Sequence, residues 1–245
     1  MQLDGGGRRG FFLTLEGPEG SGKSTQAHRL AGRLTAAGYH CTLTREPGGT
    51  ILGEEVREII LHKLSPVPVA DAFLFNAARA QLVADVIEPA LAEGNVVICD
   101  RFADSTLAYQ GYGAGQSVET LRNLARYATG DLVPDLTILI DLPVEEGLRR
   151  KRDGDEINRF ESTLDVAFHR RVRDGFLALA AAEPARFAVL DGLLSPEQTE
   201  IAIADVLRPR LSSKRELRRG NAEQSTNDFR IDSSEPNGVS VRMNK

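Results

Sequence analysis

The sequence predicts an α/β fold, a five-stranded parallel sheet flanked by helices. Strand-like apolar runs recur at Phe11–Leu15, Cys41–Thr44, Val96–Asp100, Leu136–Asp141 and Phe187–Leu190. Stretches with apolar residues at helical spacing separate them, and strands that alternate with helices pair in parallel. The first run leads directly into Gly17-Pro18-Glu19-Gly20-Ser21-Gly22-Lys23-Ser24-Thr25, spaced G-x-x-x-x-G-K-S. A strand before that spacing and a helical pattern after it identify a phosphate-binding P-loop.

Each residue type in the loop has a physical task. Gly17, Gly20 and Gly22 let the backbone curl so that successive amides point inward at phosphate oxygens. Lys23 brings a point charge to the β- and γ-phosphates, and the Ser24 hydroxyl suits Mg²⁺. The following helix adds its positive dipole end. The glycines are not spaced G-x-G-x-x-G, so a dinucleotide fingerprint is set aside. The expected architecture is therefore the P-loop NTPase fold.

The elements follow in order. Met1 to Gly10 is a Gly- and Arg-bearing lead with nothing to pack. After the P-loop, Ala27, Leu30, Ala31 and Leu34 mark a helix over Gln26 to Ala37, ended by Gly38. Cys41–Thr44 is a short strand, and Arg45-Glu46-Pro47-Gly48-Gly49-Thr50 is the loop at its carboxyl end, where open parallel sheets place ligands. Thr50 caps a helix reaching about Leu61. Pro66 and Pro68 introduce a long helix from about Val69 to Leu91, bent near Pro89. Val96–Asp100 ends in a carboxylate, the Walker-B pattern. Gly111-Tyr112-Gly113-Ala114-Gly115 reads as a flexible loop. The last helix is expected over Pro196 to Leu211. Residues 11–211 form the domain, and 212–245 read as a disordered polar tail.

Composition narrows the function. The chain has 245 residues, 41% hydrophobic and 27% charged, enough for a sizeable core. A net charge of −5 argues against a general nucleic-acid binder. No apolar run approaches the ~20 residues of a membrane span, and no secretory h-region opens the chain. The two cysteines, Cys41 and Cys99, fall inside strand-like runs and read as buried thiols in a reducing cytoplasm. His28, His40, His62 and His169 show no catalytic or metal spacing.

A P-loop implies a nucleotide but not a reaction. Arg45 and Arg101 at strand ends suit a second phosphate, because guanidinium binds it bidentately. The basic run Arg149-Arg150-Lys151-Arg152, followed by Asp155, Asn158, Arg159 and Glu161, suits a lid over about 149–161 that closes on a transferring phosphoryl group. From spacing alone Phe75 reads as a core residue and the basic run as an ordinary solvated helix face.

Taken in order, G-P-E-G-S-G-K-S-T-Q after a strand, R-E-P-G-G-T, and D-R-F-A-D-S-T-L-A-Y-Q-G resemble the thymidylate kinase family over about Phe11 to Leu211. The resemblance implies transfer of the ATP γ-phosphoryl group to thymidine 5′-monophosphate (dTMP) with Mg²⁺, in a cytoplasmic homodimer. It places Lys23 on the ATP phosphates, Ser24 and Asp100 at the metal, and Glu19 by the acceptor's 3′-hydroxyl. Arg45 and Arg101 would grip the acceptor phosphate. Phe75 would stack on thymine, Arg79 donate to its carbonyl, and Thr106, Tyr109 and Gln110 line the base pocket. Some relatives carry a basic residue inside the P-loop. Here Glu19-Gly20 stands instead, so the lid is expected to supply the catalytic cation, with Arg152 leading and Arg150 as the alternative. Asp191-Gly192-Leu193 is a weak candidate for the adenine side.

Rival readings remain weaker. A guanine-reading N-K-x-D run is absent, which disfavours a GTPase. A nucleotide-dependent regulator has no use for two strand-end arginines and a basic lid. Another small P-loop nucleotide or nucleoside kinase is the nearer alternative, and Arg45 with Arg101 favours a phosphorylated acceptor.

Overall fold

The computed structural model describes residues 10–63, 66–152 and 165–227. Its strands are β1 (Phe11–Glu16), β2 (Cys41–Arg45), β3 (Val96–Asp100), β4 (Leu136–Asp141) and β5 (Phe187–Asp191). All pair in parallel, in the order β2-β3-β1-β4-β5. The chain therefore lays β2 and β3 on one side of β1 and β4 and β5 on the other. That reversal is where open α/β sheets leave a crevice at the carboxyl ends of their strands.

Every residue of the central strand β1 is buried, as expected for a parallel strand covered on both faces. Phe12 pairs with Val97 and Thr14 with Cys99. On that face Phe12, Val97 and Cys99 pack with Leu82, Ile87, Leu91 and Phe102. The helix α1 (Lys23–Ala36) packs against β1, β2 and β3. Burying a side chain of this size fully is worth about 1.5–3 kcal/mol, so the sheet rests on many such contributions.

The remaining helices are α2 (Ile51–Glu58), α3 (Pro68–Leu82), α4 (Glu88–Ala92), α5 (Ala103–Thr106), α6 (Val118–Thr129), α7 (Val144–Arg152), α8 (Val166–Ala182) and α9 (Pro196–Asn227). Thr50 caps α2 as expected, its side chain accepting from the Gly53 N–H. Three expectations are corrected. The single helix expected from Val69 to Leu91 is interrupted by a π-helical turn, Val83–Ile87, just before Pro89. Proline offers no N–H and its ring crowds the preceding turn, which the wider turn accommodates. The loop expected from Gly111 begins instead as the end of another π-helical turn, Leu107–Gly113, with Gly111 and Gly113 buried. The last helix continues past Leu211 to Asn227, into the stretch expected to be disordered. Lys214, Arg215, Glu216, Leu217, Arg218 and Arg219 are all good helix formers, and propensity can extend a helix that apolar periodicity has left.

The chain divides into two compact units at Pro209, which lies inside α9. The second unit is helical from Pro209 to Asn227. Residues 228–245 and most of the lead lie outside the described residues, as do Asp155, Asn158, Arg159 and Glu161 of the expected lid. Cys99 is buried, but Cys41 is only partly so, and both are free thiols. Cys41 opens β2, the edge strand, which leaves it less covered.

Candidate active site

Strand register builds the site. Asp100 lies beside Leu15 on one flank and Arg45 on the other. The P-loop, the Walker-B carboxylate and the R-E-P-G-G-T loop therefore leave the sheet side by side. They open onto a cleft of about 700 Å³, lined also by α2, α3, the turn after α5, and the end of α7.

The P-loop residues divide by how they face this cleft. Glu19, Gly20, Gly22, Lys23, Ser24 and Thr25 line it. Gly17, Pro18 and Ser21 lie behind and anchor Lys23, whose Nζ donates to Gly17 O (3.0 Å), Pro18 O (2.8 Å) and Ser21 Oγ (3.2 Å). Burial, then the Arg101 charge, lowers the Lys23 pKa to about 8 against the pull of Glu19 and Asp100. The Ser24 hydroxyl donates to Asp100 Oδ2. Asp100 Oδ1 is buried and has no hydrogen-bond partner among the described residues. A hydroxyl and a carboxylate beside a phosphate loop, with one carboxylate oxygen unsatisfied, suit Mg²⁺. That ion takes one or two carboxylates and fills its shell with phosphate and water.

Gly20 explains why a side chain is excluded from its place in the loop. It has φ +72°, and a Cβ there would run into the Gly147 carbonyl of α7. A Cβ on Gly147 would in turn meet the Glu19 carbonyl. P-loop and α7 thus touch backbone to backbone, and only glycines allow that approach.

Arg101 is held on several sides. Its Nη2 donates to Glu19 Oε1 (2.9 Å) and Tyr109 Oη (3.3 Å), and its Nη1 to Ser105 Oγ (3.2 Å) and Gly17 O (3.3 Å). The Tyr109 hydroxyl donates to the same Glu19 oxygen at 2.7 Å. Burial works against charge at Glu19, but Arg101 and Lys23 outweigh it and hold its pKa at about 2. For Arg101 burial is likewise outweighed, by Tyr109, Glu19 and Asp100, and its pKa is raised. Its backbone sits at φ +70°, an uncommon conformation for a side chain of this size. Arg45 is half exposed and pairs with both Glu54 oxygens, at 3.1 and 3.0 Å.

The base-side residues converge as well. Phe75, Arg79, Thr106, Tyr109 and Gln110 all line the cleft. Phe75 is partly buried and also packs against the core, so both readings of it describe part of its surface. Arg79 is fully buried. It donates to Glu46 from Nε (2.9 Å) and Nη2 (2.7 Å), to Asn76 from Nη1, and to Thr106 and the Phe102 carbonyl from Nη2. The π-helical turn after α5 carries Tyr109 and Gln110, and widened turns of this kind are frequent at functional sites.

The basic residues at the end of α7 differ in exposure. Arg150 and Lys151 line the cleft, whereas Arg152 is exposed and does not. Arg150 donates from Nε to Glu146 (2.8 Å) and from Nη1 to the Gly192 carbonyl (3.1 Å), at the loop marked as the weak adenine candidate. The basic run in the sequence does not say how α7 is turned against the P-loop. The close approach of Gly147 to the P-loop and the packing of α7 on α8 constrain that rotation.

Sequence reasoning missed Arg57. It lines the cleft from α2, with its Nη1 on the Pro47 carbonyl at 3.0 Å. Burial, then the charges of Arg45 and Arg101, lower its pKa. Arg45, Arg57 and Arg101 thus all line the one cleft. The only sequence signal was its place two turns into the helix that Thr50 opens.

Fold and site together define a P-loop phosphotransferase with room for a second phosphorylated ligand beside its nucleotide loop. Residues 15–203 match the family model described as thymidylate kinase. The chain is 53% identical over 201 residues to the thymidylate kinase of Synechococcus sp. (strain JA-3-3Ab), covering 82% of this chain and 97% of the relative. It is 51% identical over 196 residues to that of Deinococcus radiodurans, covering 80% and 95%. A solved thymidylate kinase from Ehrlichia chaffeensis superposes with a TM-score of 0.67 at 35% identity, covering 81% of this chain and 98% of that one. The chain belongs to the thymidylate kinase family.

Proposed function

We infer that the protein transfers the γ-phosphoryl group of ATP to dTMP, giving dTDP and ADP. The observation that carries a phosphorylated acceptor is that Arg45, Arg57 and Arg101 all line the cleft onto which the P-loop opens. Cations gathered in one cleft are stabilised by an anion, and guanidinium forks match a phosphate. A coupled ADP-release assay should show turnover of dTMP in preference to CMP, UMP, AMP and GMP. Equal or better turnover of any of those four would overturn the reading in favour of another small P-loop nucleotide kinase.

In the mechanism we propose, the P-loop amides and Lys23 hold the β- and γ-phosphates. Ser24 and Asp100 would hold Mg²⁺, which when bound neutralises phosphate charge as the transition state develops. Arg45, Arg57 and Arg101 hold the acceptor phosphate in line with the γ-phosphorus. Glu19 meets the sugar, while Phe75, Arg79, Thr106, Tyr109 and Gln110 meet the base. A phosphate oxygen is already anionic at neutral pH, so no general base is required. Catalysis is alignment and charge matching.

The catalytic cation is proposed to come from the end of α7, since α7 leaves no space for a side chain at Gly20. Arg150 lines the cleft and becomes the leading candidate, with Arg152 the alternative. Alanine at the residue that acts should lower kcat at least ~100-fold with little change in either KM, as expected of a group that acts on the transition state. Losses under a fewfold at Arg149, Arg150 and Arg152 alike would exclude a lid arginine among the described residues.

A homodimer is also proposed. Val69 and Phe73 on α3, Val67 before it, and Ile51 and Leu52 on the adjoining α2 are exposed apolar residues, the surface that association would cover. Phe73→Asp should convert a dimer to monomer in sedimentation, and an already monomeric wild type would refute the assignment. No described helix is long and apolar enough to cross a membrane. A cytoplasmic location, and an activity carried by residues 11–211, complete the proposal.

A further inference from the structure

Glu16 is a buried carboxylate in the central strand that the mechanism above does not use. It is fully inaccessible to solvent. A carboxyl group is rarely left in such a place unless its hydrogen bonds serve something. Its Oε1 accepts from the Phe102 N–H at 2.8 Å, and its Oε2 lies 2.6 Å from the Ser105 hydroxyl. The Ser105 oxygen in turn accepts from Arg101 Nη1 at 3.2 Å. Both partners therefore belong to the turn that presents Arg101, the residue at φ +70°.

We propose that Glu16 is a positioning residue: through the Phe102 amide and the Ser105 hydroxyl it holds the Arg101 guanidinium at the angle needed to grip the acceptor phosphate. The inference rests on the reading of Arg101 given above. Burial, then the neighbouring Asp104 charge, push the Glu16 carboxyl up to about 8. The geometry is unaffected by this. Whether the proton of the Glu16–Ser105 pair lies on the carboxyl or on the hydroxyl, the Ser105 oxygen keeps a lone pair toward Arg101. Asp104 itself is held by both terminal nitrogens of Arg186, at 2.7 and 3.0 Å. It therefore stabilises the same turn without reaching the cleft.

The test compares Glu16→Asp, Glu16→Gln and Ser105→Ala in the full chain. Aspartate is one carbon shorter and cannot reach both partners. Glu16→Asp should raise the acceptor KM roughly tenfold, in line with the cost of small misplacements at reacting groups, and leave the ATP KM within about twofold. Glutamine keeps the reach and can serve both partners, so Glu16→Gln should lie closer to wild type. Ser105→Ala breaks the link to Arg101 but leaves the Phe102 bond. It carries the test if Glu16→Asp does not fold. Adding Glu16→Asp to Ser105→Ala should cost little more than either alone, because both act through one path. Additive losses, or acceptor and ATP KM values that rise together, would reduce Glu16 to a structural role. Wild-type turnover of dTMP tests the underlying function separately, so failure of one is not mistaken for failure of the other.

Discussion

Alanine in place of Arg101 is expected to lower kcat/KM for the acceptor by about 10³, the low end of what arginines on a transferring phosphoryl group contribute. Two effects add. The guanidinium that would hold the acceptor phosphate is lost, and Glu19, only 12% exposed at its side chain, loses its ion-pair partner. Lysine should recover only part of the loss. It restores a charge but not the fork that reaches Glu19, Tyr109, Ser105 and Gly17 from two nitrogens. Backbone strain does not confuse the comparison, since alanine and lysine both occupy φ +70° at similar cost. Steady-state kinetics with dTMP as the varied substrate checks this. A loss under tenfold in the alanine variant would remove Arg101 from the proposed machinery.

The second large effect is on stability. Arg79→Ala should cost about 3–5 kcal/mol, because it leaves a buried carboxylate without its cation. Arg79 and Glu46 expose only 1% and 4% of their side chains. Burial raises the Glu46 pKa even with Arg79 opposing it, so removing the arginine leaves that penalty uncompensated. Asn76, Thr106 and the Phe102 carbonyl lose a donor as well. Replacing both partners together, Arg79→Met with Glu46→Leu, should cost much less, since no charge is then stranded. Urea unfolding of the two variants separates these outcomes. If Arg79→Ala costs under about 1 kcal/mol, Glu46 is finding water and the pair is not closed in solution.

The same residue shows how far the sequence could be read. The match to R-E-P-G-G-T located Glu46 and Arg45 in one loop, and the family likeness placed Arg79 at a base. Nothing in the one-dimensional pattern linked Glu46 to Arg79, because they lie 33 residues apart. Only the tertiary fold, which brings Arg79 of α3 against the loop after β2, joins them. The arginine reaches the cleft as part of a buried ion pair rather than as an isolated donor.

What the sequence determined by itself was everything carried by local chemistry. Apolar runs bounded β3 and β4 to the residue, because a parallel strand buried on both faces must be apolar throughout. The glycines of the P-loop, the Thr50 cap and the strand-end positions of Asp100 and Arg101 were legible for the same reason: each is imposed by its immediate neighbours. Tertiary structure decided whatever depends on the rotation of a helix or the meeting of distant elements. It widened the turns at Val83–Ile87 and Leu107–Gly113, and brought Arg57 and Arg150, but not Arg152, to the cleft. It also linked Glu16 to Arg101. A helix pattern specifies which face is apolar, but only contacts with neighbours, here those of α7 with the P-loop and α8, set where its polar residues point.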